Sequence, residues 1–173
     1  YDISPPACLM ARFGLAAEAA TFGGSLTINI EHRDALDGQE WVSGVDVCLM
    51  NPPFVAWVDM TASQRETVSR VRGETHVKRP DMASAFVRRA VGNLSQSAVI
   101  GAVLPASFLD GNSSARLREF LLQGTTVELS ARLGNQAVFM DVTVDPALLI
   151  LKRHASGPSV DPTLLVWTDH ASG

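Results

Sequence analysis

The sequence predicts an α/β fold: a mostly parallel sheet flanked by helices and closed by an antiparallel pair of strands. Three observations carry this expectation. Short apolar strand patterns alternate with helical ones through most of the chain, as in parallel sheets covered on both faces. The last two strand patterns, Thr125 to Leu133 and Val142 to Leu151, are separated by a link too short for a parallel crossover, so they should be antiparallel. Asp2, Asp34 and Asn51 all fall at or just after the carboxyl end of a strand pattern, where open sheets of this kind bind ligands.

The elements follow in order. Tyr1-Asp2-Ile3 reads as a strand end, and Ser4-Pro5-Pro6 as a helix start, since proline fits the first turn. Ala7 to Ala20 carries helical spacing in Leu9, Met10, Phe13, Leu15 and Ala16 and stops before Gly23-Gly24. Leu26 to Ile30 alternates as a strand should and leads into His32-Arg33-Asp34-Ala35-Leu36. Val45 to Met50 is a short strand that runs directly into Asn51-Pro52-Pro53-Phe54. From Val55 to Pro80 periodicity is weak and charge is dense. Asp81, after Pro80, is placed to cap a helix that runs to about Leu94. Ala98 to Leu104 is an apolar strand ended by Pro105, and Ser113 to Leu122 a helix. Beyond the closing strands, 154–173 reads as an exit segment or the start of a following region, with one short strand pattern at Leu164 to Trp167; residues 1–153 are read as one partial domain.

Composition narrows the class. The 173 residues suffice for one domain with a core, and 46% are apolar, which excludes a disordered chain. No apolar run approaches the roughly 20 residues needed to cross a bilayer. No basic segment followed by an apolar one opens the chain, so no secretory leader is read. Cys8 and Cys48 lack metal-type spacing and are read as structural, which fits a reducing cytoplasm. His32, His154 and His170 have no acidic or cysteine partner at ligand spacing, so no metal is expected. Trp41, Trp57 and Trp167 are scattered and read as packing residues. The net charge of −4 makes the chain as a whole no polyanion binder.

Asn51-Pro52-Pro53-Phe54 is the most informative tetrapeptide. It is one thing as a rigid turn that leaves a strand. It is another as a device for holding a planar –NH₂ group. Two prolines fix the backbone and remove two N–H donors, so nearby carbonyls stay unclaimed. An Asn side-chain oxygen and a prolyl carbonyl can then both accept from one amine, and Phe54 offers a flat face for a base.

On these residues the sequence resembles the amino-methyltransferases with an N-P-P-[YF] motif, specifically the adenine-N6 DNA methyltransferases of restriction-modification systems. Asp46 to Phe54 is similar to that family's catalytic strand and loop. Ala98 to Leu109 with Leu117-Arg118-Glu119-Phe120-Leu121 is similar to its next strand, proline turn and helix. Ala137-Val138-Phe139 with the Val142 to Lys152 strand is similar to its closing hairpin. The resemblance implies a Rossmann-like class I methyltransferase sheet, S-adenosylmethionine as cofactor and double-stranded DNA as substrate. It assigns Asn51 and the Pro52 carbonyl, with Pro53 holding the turn, to the target amine, and Phe54 to stacking on a flipped-out adenine.

The resemblance also assigns Asp2, with Ile3 beside it, to the cofactor ribose, and Asp34, with Ala35, to the cofactor adenine. On the residues alone, Asp2 is equally a helix cap and Asp34 a solvated loop carboxylate. One departure matters: the glycine-rich turn that holds the methionine end in this family, and the first strand beneath it, are missing from these residues. Gly23-Gly24 and Gly111-Asn112 do not substitute for it. The chain is therefore expected to be part of a larger polypeptide, or to work with a target-recognition subunit, and to be inactive alone.

The basic cluster Arg65, Arg70, Arg72, Lys78 and Arg79, with His76, follows the motif and is diluted by Glu66 and Glu74. It reads either as a solvated face or as phosphate contacts. Rival readings are an amino-methyltransferase acting on protein glutamine or RNA, and a non-catalytic scaffold of a DNA-modification complex.

Overall fold

A computed structural model describes residues 1–21, 23, 27–133 and 144–154. The chain divides into two compact units, Tyr1–Gln39 and Glu40–Gly173. The expected Ala137-Val138-Phe139 segment, the start of the last strand at Val142, the Leu164 to Trp167 strand and His170 lie outside the described residues.

In the first unit, helix α1 spans Pro5–Thr21. Its prolines sit in the first turn, where a missing N–H costs nothing, and the Ser4 hydroxyl accepts from the Ala7 N–H at 3.4 Å. The two strands expected here shrink to a single parallel bridge between Asp2 and His32. The Asp2 N–H donates to the Glu31 carbonyl and the Arg33 N–H to the Asp2 carbonyl, at 3.2 and 3.0 Å. Residues 27–30 have no regular structure, contrary to the alternating pattern. Alternation marks which residues can face inward; it does not provide the neighbouring backbone that a ladder needs.

The second unit is built on a four-stranded sheet in the order β1-β2-β4-β3. Its strands are β1 (Val45–Met50), β2 (Leu94–Pro105), β3 (Thr125–Arg132) and β4 (Pro146–Arg153). β1 pairs with β2 in parallel, while β4 runs antiparallel to both β2 and β3. Three strands thus share one direction and only β4 is reversed, the mostly parallel arrangement with an antiparallel closing pair that the sequence predicts. Leu49 stands opposite Gly101, and a Cβ on that glycine would meet a Leu49 methyl at 2.9 Å. The missing side chain therefore makes room for Leu49.

Helix α3 (Met82–Asn93) begins where expected: the Asp81 carboxylate caps it by accepting from the Ser84 N–H at 2.7 Å. Its Ala83, Val87 and Ala90 pack on alternate residues of β2 (Ala98, Ile100, Ala102, Leu104) and β4 (Leu149, Leu151), with Leu117 and Leu121 of α5 (Ala115–Gly124). Short helix α4 (Ser107–Asp110) adds buried Phe108. The intervening sheet residues line a hollow of about 460 Å³ on the opposite face, and Leu49 is 79% exposed. The described helices of this unit pack on one face of the sheet.

Between β1 and α3 lies helix α2 (Ala62–Arg72), flanked by 3-10 turns at Trp57–Asp59 and Gly73–Thr75. Thr61 and Gln64 close it with a capping box, each side chain bonded to the other's backbone N–H.

Candidate active site

β1 delivers Asn51 at its carboxyl end, beyond the last residue paired with β2. The Asn51 side chain is exposed. Neither its amide nor the Pro52 carbonyl has a hydrogen-bond partner among the described residues. Pro52 is buried and Pro53 exposed, so the first proline anchors the turn and the second stiffens it. Phe54 is half-buried. One residue on, the Val55 carbonyl accepts from the Met82 N–H at 3.0 Å, which ties the loop to the first turn of α3. The loop thus leaves two acceptors unpaired among the described residues, the Asn51 amide and the Pro52 carbonyl, two residues before Phe54 in the chain.

The basic cluster does not act as a unit. Arg72 is fully buried. Its guanidinium donates to the Thr75 hydroxyl (3.1 Å) and carbonyl (2.7 Å), to the Ser84 hydroxyl (2.6 Å) and to the Ser113 carbonyl (3.2 Å). Burial pulls its pKa down to about 10, with the Asp81 carboxylate opposing that shift. A side chain so enclosed cannot reach a phosphate, and we remove Arg72 from the expected DNA contacts. Arg65 is half-buried and donates to the Trp57 and Val58 carbonyls at 3.0 and 3.1 Å, so it braces the segment after the motif. Arg70, Lys78 and Arg79 are exposed, and Lys78 holds a left-handed backbone with φ 56°. His76 stacks edge-on to Trp57 with ring centroids 5.6 Å apart, and burial, then the Arg72 charge, lower its pKa.

In the first unit the parallel bridge pairs Asp2 with His32, two residues before Asp34. Both carboxylates are exposed. Asp2 accepts from the Ser4 N–H at 2.7 Å and Asp34 from the Leu36 N–H at 2.8 Å, each through one oxygen. Each second oxygen has no hydrogen-bond partner among the described residues. The local turn and an outward-facing acceptor thus coexist on the same carboxylate. Ile3 is exposed and Ala35 half-buried.

No group of three or more His, Cys, Asp or Glu side chains that could hold a metal occurs among the described residues. Both cysteines are free thiols, and burial raises the pKa of Cys48, which suppresses its thiolate. No helix among the described residues is long and apolar enough to cross a membrane.

The fold is that of a class I methyltransferase. A Listeria monocytogenes protein assigned to the class I S-adenosylmethionine-dependent methyltransferases superposes with a TM-score of 0.61 at 15% identity, over 80% of this chain and 41% of its own. The restriction-modification enzyme MmeI, solved with DNA, gives 0.61 at 17% identity, over 88% of this chain and 22% of its own. The type IIG restriction endonuclease BpuSI gives 0.52 at 23% identity, over 66% and 14%.

The family model of the Eco57I restriction-modification methylase matches residues 2–139, and the chain belongs to that family. The Escherichia coli type II restriction enzyme and methyltransferase RM.Eco57I is 26% identical over 111 residues. That match takes in 62% of this chain but 11% of the relative, so the chain spans about a tenth of it. Class I methyltransferases of restriction-modification systems use S-adenosylmethionine.

Proposed function

We propose that this chain is part of the catalytic domain of a DNA adenine-N6 methyltransferase of a restriction-modification system, working in the cytoplasm. The observation that supports it most is the pair of unclaimed acceptors, the Asn51 amide and Pro52 carbonyl, held at the end of β1 just before Phe54 in the chain. S-adenosylmethionine supplies the methyl group when bound. Asp2 and Asp34 suit the nucleoside end of that cofactor, because each has an outward carboxylate oxygen free to accept from a hydroxyl or an amine. Among the described residues no glycine-rich turn follows a strand to suit the methionine end. We therefore expect isothermal titration of the 173 residues alone to show no binding in the low micromolar range.

The target adenine, turned out of the duplex, stacks on Phe54. Its amine donates both hydrogens, to Asn51 and to Pro52, which draws the nitrogen lone pair out of conjugation with the ring. With S-adenosylmethionine bound, its sulfonium would give up the methyl group to that lone pair, which Asn51 and Pro52 would hold in line, and the surplus proton would pass to water. Positioning and fixed dipoles supply the acceleration, with no strong base. Arg70, Lys78 and Arg79 are assigned to phosphates, which orient the duplex without reading it. Sequence reading falls to a further segment or subunit.

The test is product identification. The full-length protein is given labelled S-adenosylmethionine and duplex DNA, and the DNA is digested to nucleosides. N6-methyladenine as the labelled product supports the reading. N4-methylcytosine, labelled RNA or labelled protein glutamine would each replace it with the corresponding amino-methyltransferase, and no transfer at all would favour a scaffold.

A further inference from the structure

We propose that Arg72 is a positioning residue for the Asn51–Phe54 loop, acting from inside the protein through the first turn of α3. The inference rests on the methyltransferase reading above. Arg72 ends α2, and its guanidinium spans three elements at once: the 3-10 turn at Thr75, the start of α3 at Ser84, and the Ser113 carbonyl just before α5. Ser84 passes the contact on. Its hydroxyl accepts from Arg72 and donates to the Asp81 carbonyl at 2.6 Å, while its N–H donates to the Asp81 carboxylate at 2.7 Å. The next residue, Met82, donates its N–H to the Val55 carbonyl at 3.0 Å, one residue beyond Phe54. Three hydrogen bonds, joined through the Asp81–Met82 peptide unit, therefore link a buried cation to the backbone of the base-holding loop.

Chemistry explains why an arginine occupies this place. A planar guanidinium aims several donors in fixed directions, and four of its hydrogen bonds are made here within one side chain. An ammonium would keep the charge but could not reach Thr75, Ser84 and Ser113 together. Burying a charge is costly, and a helix needed only for packing could end in an apolar residue. Displacing α3's first turn would shift Val55 and, with it, the two acceptors that must meet the amine. A misplacement of that kind is enough to cost about 100-fold in rate.

The test uses the full-length protein, first shown to methylate DNA, so failure of the enzyme reading is seen before any variant is made. Arg72→Lys, which keeps volume and charge, should lower kcat about 10- to 100-fold. The KM for S-adenosylmethionine should stay within about twofold, because the carboxylates that face the cofactor are not in this series of contacts. Arg72→Ala should regain part of its kcat when guanidinium ion is added at millimolar concentration, and ammonium should not restore it. Ser84→Ala, which removes the relay but leaves the guanidinium, should show the same kcat-against-KM split at smaller size. Wild-type kcat in Arg72→Lys overturns the proposal. So does a parallel loss of kcat, cofactor affinity and melting temperature with no guanidinium rescue, since that pattern means a structural role alone.

Discussion

Asp2 and Asp34 in the first unit and Asn51 in the second are each read from the sequence at or just past the end of a strand pattern, yet they are held differently. Each aspartate is fixed by one hydrogen bond from a backbone N–H two residues along the chain. Local turn chemistry orients each carboxylate, while the Asp2 backbone is also bonded to Glu31 and Arg33. The Asn51 loop is fixed by distant parts of the chain: Pro52 is buried, Val55 is tied to Met82, and Arg72 locks the start of α3. The difference follows from the tasks assigned. A carboxylate that accepts from a ribose or an amine tolerates small shifts, because two oxygens offer several lone pairs. Acceptors that must align an amine with a methyl group tolerate few.

The comparison can be broken by substitution on either side. The larger of these effects should come from the loop. Phe54→Ala should cost about 1–3 kcal/mol of target-base binding, the value of a lost base stack, while Phe54→Tyr keeps a π-face and should be nearly silent. Fluorescence of 2-aminopurine at the target position reads this directly, and equal signals for Ala and Phe would end the stacking assignment.

Asp2→Asn and Asp34→Asn should each weaken S-adenosylmethionine binding about tenfold in the full-length protein, the loss of charge on one accepting group. Asn retains the oxygen that receives Ser4 or Leu36, so the local turn survives. A fall in kcat with unchanged cofactor affinity would show that these residues do not face the cofactor.

Smaller still are the phosphate contacts. Lys78→Gln and Arg79→Gln should each reduce the slope of log affinity for DNA against log salt by about one. The same slope in wild type and variants would leave these side chains as a solvated face.

Much of this was legible in the sequence because local signals and the fold agree. Val45 to Met50 and the Asn-Pro-Pro-Phe turn, the Asp81 cap after Pro80, and the reversed closing pair are all where the pattern places them. Helix α2 was not read, since only Val68 and Arg72 are buried along it, and an arginine gives no apolar period. Its signal was the capping box, Thr61-Ala62-Ser63-Gln64, which needs no hydrophobic face. The role of Arg72 was hidden for a related reason. Sequence shows five basic residues in a run of charges, and only packing separates the buried Arg72, which meets Thr75, Ser84 and Ser113, from the exposed Lys78 and Arg79. The strand expected at Leu26 to Ile30 failed in the opposite way: its alternation is real, but residues 27–30 gain no ladder.

The central claim is that Asn51 holds the target amine and takes no part in holding the cofactor. Asn51→Ala in the full-length protein tests it through two quantities measured on one preparation: transfer of labelled methyl to DNA, and S-adenosylmethionine affinity by isothermal titration. The account predicts that transfer is abolished while affinity stays within about twofold of wild type. Transfer that persists at the wild-type rate, or a loss of cofactor affinity that matches the loss of transfer, would contradict it.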